Sequence, residues 1–161
     1  MLPLLAHAAA SWTAWYSDSA VVRTSVNFTH IAALVGGGGA AIVEDRAMLG
    51  VLRLDEPARR GRVEAQRRAH RVVLTGLALA VVSGLLLFAA DFDTYLYSRV
   101  FWLKMGLVVL LLANGVLLTR AEHAALRNDA RAWVRLRRGA AVSLTLWLLT
   151  TLAGAALPNV G

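Results

Sequence analysis

The sequence contains no cysteine. That removes disulfide frames, thiolate metal centres and thiol chemistry, and it leaves the redox compartment unmarked. Lysine, asparagine and isoleucine are scarce beside arginine, alanine, leucine and glycine, a balance that suits a bacterial genome of high GC content. No two histidines stand in a His-x-x-x-His pair, which argues against copper or zinc transport. No serine, histidine and carboxylate assemble at one depth, so no hydrolase signature emerges. The formal charge of +7 is not gathered on a water-soluble face. The basic residues stand between apolar runs, and this excludes a nucleic-acid partner. At the N-terminus, Leu2 to Leu5 with Ala6, His7 and Ala8 lack the basic leader and the apolar length of a signal peptide, so the segment is read as retained.

What is present is apolar. Of 161 residues, 58% are hydrophobic and the mean hydropathy is +0.57, more than a soluble core of this size needs. A helix crosses the hydrocarbon of a bilayer in roughly 20 apolar residues. Four stretches qualify: Ser25 to Val43, Val72 to Ala90, Val100 to Thr119 and Gly139 to Leu157. The second and fourth carry no charge. The third has Lys104 near its start, where a long side chain can reach the headgroups, beside an aromatic girdle of Tyr95, Tyr97 and Trp102.

Arginine sets the orientation, because basic loops resist translocation. Eight arginines from Arg46 to Arg71 separate the first two spans, and six from Arg120 to Arg138 separate the last two. Both connections are therefore assigned to the cytoplasm, where they also meet anionic lipid headgroups. Both termini then lie on the periplasmic side of an inner membrane. Asp55, Glu56 and Pro57 have the form of a capped helix start, so a helix beginning there runs through His70 into the second span. The third span continues past Glu122 and His123 to a turn near Asn128 and Asp129. Short connections force antiparallel neighbours. The sequence thus predicts an all-α protein, an integral membrane antiparallel four-helix bundle, with Trp12, Trp15 and Tyr16 marking an N-terminal interfacial helix.

Several segments resemble an uncharacterised family of small bacterial four-helix membrane proteins, distantly similar to cytochrome b561-like and CopD-like bundles. They are Ser19 to Ser25, His30 to Gly36, Asp45 to Gly50, Ser83 to Asp91, and Phe101 to Lys104 with Asn114 in the same helix. The chain departs from that pattern in two places. Asp45 and Arg46 are adjacent where the family separates them, and Leu118 and Thr119 stand where a histidine is common. The resemblance implies the fold, and through its distant relatives it raises haem and metal handling.

Ionisable groups in a membrane are costly unless paired or used. Two readings of the histidines are open. In one, His70 and His123, on the second and third helices taken as neighbours, supply two axial ligands to haem b, with His30 and Met105 as a further pair and Gly36, Gly37, Gly38 and Gly39 clearing a face for the macrocycle. In the other, each piece is structural. The glycines, with Ser83, Gly84, Asn114 and Gly115, let helices approach closely. His70 and His123 are hydrated beside arginines, Met105 fills a gap, and Asn114 or another polar residue satisfies His30. Glu44, Asp45 and Arg46 end the first span, where pairing with arginines of the second helix is expected. Three functions follow: a non-catalytic accessory subunit of a membrane assembly, associating with other subunits or as a homo-oligomer; a haem-binding electron carrier; and CopD-like metal handling.

Overall fold

Three short polar residues start the long helices. Ser19, Asp55 and Ser98 each turn a side-chain oxygen onto a backbone N–H three residues ahead, Asp55 onto Ala58 at 3.0 Å, and so satisfy donors that a helix start leaves unpaired. In the computed structural model the backbone is described for residues 2–127 and 129–160, and side chains for residues 10–127 and 129–157. Helix α1 is Leu2–Asp18, α2 Ala20–Ala33, α3 Gly39–Leu49, α4 Glu56–Ala90, α5 Phe92–Tyr97, α6 Arg99–Leu126 and α7 Ala130–Val160. A π turn over Leu34–Gly38 joins α2 to α3 in one rod, and no strand occurs among the described residues.

Four of these helical segments are long and apolar enough to cross a membrane: Ala20–Arg53, Glu56–Ala90, Arg99–Leu126 and Ala130–Leu157. They outrun the hydrocarbon. The 35 residues of α4 extend about 52 Å at roughly 1.5 Å per residue, against a core of about 30 Å. The surplus lies at the arginine-rich end, as the helix start at Asp55 anticipates, and α6 and α7 meet there in the turn at Asp129. Asn128 lies outside the described residues.

Packing differs along the bundle. At the arginine-rich end Met48, Val51, Val63 and Leu136 are fully buried, and Arg59 lies over the Trp133 ring at 5.9 Å. Each such side chain contributes about 1.5–3 kcal/mol where the alternative is water. Along the spans, Val35, Phe28, Leu148 and Leu152 face outward, an arrangement that costs nothing in lipid. There the helices meet through small residues. A Cβ on Gly76 would fall 2.6 Å from the Gly37 Cα, so α2, the π turn and α4 cross at near backbone contact. Gly38 faces the Trp147 ring of α7, and Gly139 faces Leu118 of α6. Gly36, Gly39 and Gly115 face no neighbour within 4 Å of a Cβ position, so close packing belongs to only part of the glycine set expected for it.

Helix α4 packs on the α2–α3 rod, the rod packs on α7, and α7 packs on α6. Helices α4 and α6 do not pack along their length, contrary to the expectation that the second and third spans are neighbours. Their peripheral position is measurable: 11% of the most apolar stretch of each is buried, against 28% in the other two spanning segments. At the aromatic end the gap is bridged by rings, with Phe88 of α4 stacked on Phe101 of α6 at 5.0 Å and Tyr95 of α5 beside both. Burial there, with Asp91 and Tyr16 adding, holds the Tyr95 phenol above its usual value. Helix α1 docks on the same end, where Trp12 Nε1 donates to the Leu86 carbonyl at 2.9 Å.

Candidate functional site

Below the aromatic bridge, α4 and α6 stand apart and leave a cleft. Leu74 and Leu77 of α4 and Leu112 and Val116 of α6 form its apolar walls. Its floor is the seam between α3 and α7, which contacts of Gly38 and Ala41 with Trp147 bring together behind the gap. The cavity within holds about 210 Å³. Toward the arginine-rich end the lining turns polar, with Glu44 and Asp45 of α3, Gln66 and His70 of α4, Thr119 and Glu122 of α6, and Ser143 of α7.

This lining is electrostatically unusual. Asp45 and Glu122 are each only 4% exposed, and neither joins an ion pair. Among the described residues the pairs recorded are Arg60 with Glu56 and Arg135 with Asp129, both at the surface. The expected pairing of Glu44 and Asp45 with arginines of the second helix does not form. On α4, Arg67 and Arg68 are exposed while Val63 and Gln66 are buried. Glu122 feels Arg67, His123 and Asp45, while Asp45 lies beside Ser143 and Glu44. Two buried acceptors, Glu44 Oε2 and Gln66 Oε1, have no hydrogen-bond partner. Buried carboxyl groups and unmet acceptors cost free energy unless they are protonated or partnered, and this lining can offer acceptors to a positive group that carries hydrogen-bond donors.

The histidines do not converge. His70 is half-buried on the cleft wall. His123 is exposed on α6, with its Nδ1 at 2.7 Å from the Thr119 carbonyl of its own helix. Because α4 and α6 do not pack together, the two imidazoles lack the facing helices that a haem ligand pair needs. Met105 is half-buried on α6 and does not line the cleft. The residues present do not fit haem. Nor do three of His, Asp or Glu gather around one point that could hold a metal ion among the described residues.

His30 is occupied structurally. Its Nδ1 lies within hydrogen-bond distance of the Ser83 Oγ, 2.9 Å, and that hydroxyl also lies 2.6 Å from the Leu79 carbonyl, so the pair ties α2 to α4. Gly84 makes room for the ring: a Cβ there would stand 3.3 Å from His30 Cε1. Asn114, considered as a partner for His30, instead donates to the Gly139 carbonyl at 3.0 Å and ties α6 to α7. Lys104 lays its ammonium along α7 at Gly154. The side chain of His7 lies outside the described residues.

Sequence reasoning placed Asp45 and Glu122 at helix ends and gave them no site. A signal was available: Leu111, Asn114, Leu118, Glu122 and Ala125 recur every three or four residues, which puts Glu122 on the inward stripe of α6. Gln66 follows Val63 by three in the same way. Compared with known proteins, the chain matches no family model, no curated protein and no solved structure.

Proposed function

We propose that the chain is a non-enzymatic accessory protein of a bacterial inner membrane whose working part is the cleft between α4 and α6, a receptacle for a positively charged group. Both termini face the periplasm, and the carboxylate end of the cleft lies at the cytoplasmic boundary. The observation that carries this reading is the burial of Asp45 and Glu122 in the polar lining of the cleft without an ion pair. A carboxylate withdrawn from water is destabilised, two beside one another more so, and a bound cation offsets both costs. Intramembrane ionisable residues that face a cavity mark sites of use. The haem and metal roles suggested by the distant relatives of the family that the chain resembles lack converging ligands.

The bilayer itself is a second partner. Arg120, Arg135 and Arg138 border a groove of about 380 Å³ between α6 and α7, above the apolar Leu117 and Val142. That combination suits an anionic headgroup with its acyl chain below.

The test uses protein in phosphatidylcholine nanodiscs and two amphiphiles of equal chain length, cationic decylammonium and neutral decanol. Wild type binds the cation at least five-fold more tightly than the alcohol, and the Asp45→Asn, Glu122→Gln double variant loses that preference. Equal binding of both amphiphiles by folded wild-type protein would sink the proposal.

A further inference from the structure

Resting on that reading, we infer that the ligand of the cleft is an amphipathic primary amine, its ammonium held among Asp45, Glu122 and Gln66 and its apolar body lying between α4 and α6. Three features of the lining select this chemistry over other cations.

The first is the number of unmet acceptors. Gln66 is 7% exposed, its Oε1 lies buried without a partner in the cavity wall, and Glu44 Oε2 is in the same state. A buried acceptor gains only from a ligand that brings N–H or O–H donors. A primary ammonium brings three, enough for two carboxylates and the Gln66 amide oxygen at once. A quaternary ammonium brings none and would leave those oxygens unpaired.

The second is the shortage of aromatic surface. Quaternary cations are held by cages of rings, and the cavity offers one, Trp147. Bare metal ions are disfavoured too, since no three of the acidic and histidine side chains surround a common point among the described residues. A guanidinium is a broad planar fork that pairs best edge-on with both oxygens of one carboxylate, whereas a primary ammonium is compact. The acceptors here come from three different helices, α3, α4 and α6, which line one cavity.

The third is the shape. A cavity of about 210 Å³ lies below the range of about 300–1,000 Å³ that encloses a whole drug-sized ligand. It has room for a headgroup and the first carbons, while Leu74 at 50% exposure and Val116 at 53% continue the walls outward as an apolar trough. The aromatic bridge of Phe88 and Phe101 closes the far end, so the chain of the ligand leaves sideways into the bilayer. The charges that face the headgroup are Glu44, Asp45 and Glu122, with His70 on the wall and Arg67 beside Glu122, so negative charge prevails. Two sources supply such an amine: a free alkyl or arylalkyl amine, and a phospholipid whose headgroup ends in one.

The experiment compares decylamine with decyltrimethylammonium on the full chain in phosphatidylcholine nanodiscs, by native mass spectrometry and calorimetric titration. Decylamine binds at least ten-fold more tightly than the quaternary ion. Gln66→Leu cuts decylamine affinity at least five-fold and leaves the quaternary ion unchanged. Repeating the titration in nanodiscs containing phosphatidylethanolamine separates the sources: competition assigns the site to the lipid amine, and its absence assigns it to free amines. Equal affinity for the two cations, with both above decanol, would overturn the amine assignment while the cation receptacle stands. Failure of every cation to exceed decanol, on protein whose circular dichroism and thermal transition are intact, would overturn both. Because Gln66→Leu removes no charge, it remains informative if the double carboxylate variant does not fold.

Discussion

Replacing Gly76 by alanine tests the packing that holds the cleft open. The new Cβ would stand 2.6 Å from Gly37 Cα, 2.9 Å from Gly37 N and 3.0 Å from the Ala33 carbonyl oxygen. All three are backbone atoms, so no side chain can rotate aside, and restoring ordinary contact parts the two helices by about 1 Å. Overpacking of this kind costs about 2–3 kcal/mol, and the better helix propensity of alanine returns up to about 1. The net expectation is a loss of about 1–2 kcal/mol, or about 5- to 30-fold in the folded to unfolded ratio. Gly36→Ala is the control, since its Cβ would meet nothing within 4 Å. Unfolding in mixed micelles, followed by circular dichroism as the fraction of denaturing detergent rises, reads both. If Gly76→Ala proves as stable as Gly36→Ala, the close crossing of the α2–α3 rod with α4 is wrong, and with it the position of the cleft wall that α4 forms.

Leu136→Ala removes a fully buried side chain from the arginine-rich end and is expected to lower stability by about 2–5 kcal/mol in the same assay, more than truncation of the lipid-facing Leu148. Ser83→Ala deletes the hydrogen-bond partner of His30 and Asn114→Ala the donor to Gly139, each at a cost of about 0.5–2 kcal/mol, the usual range for interhelical hydrogen bonds in lipid. In the α6–α7 turn, the hydrogen bond from Arg135, with the Arg131 N–H assisting, holds the exposed Asp129 carboxyl below its usual range. Its small contribution is therefore complete above the unfolded value of about 3.9 and fades as pH falls through the lower folded value. Titration by NMR should show Asp129 moving up in Arg135→Gln, and an unchanged midpoint would refute the pairing. Alkaline phosphatase fused after Gly161 should be active and a fluorescent protein at the same place dark; the reverse pattern would invert the bundle.

The all-helical class, the four apolar helices and the capped start at Asp55 were legible because each depends on residues close in sequence: about 20 apolar residues make a crossing, and one carboxylate caps a helix. The candidate site was less so. His30, Ser83, Gly84 and Asn114 were singled out singly, but their pairings, His30 with Ser83 and Asn114 with Gly139, join residues 53 and 25 positions apart. The glycine run shows why. Four consecutive glycines look alike in sequence, yet Gly37 and Gly38 meet neighbours and Gly36 and Gly39 meet none, because a helix turns about 100° per residue and only part of it faces inward.

The sequence by itself determined that the chain is helical and long and apolar enough to cross a membrane four times, since the bilayer leaves a backbone little alternative to the helix. Which helices touch was decided only in three dimensions. Between apolar helices in lipid no hydrophobic force selects a neighbour, so the order around the bundle rests on where small residues allow contact, here Gly37 with Gly76 and Gly38 with Trp147. That choice, not any local motif, left α4 and α6 apart and placed Asp45, Gln66 and Glu122 around one cavity.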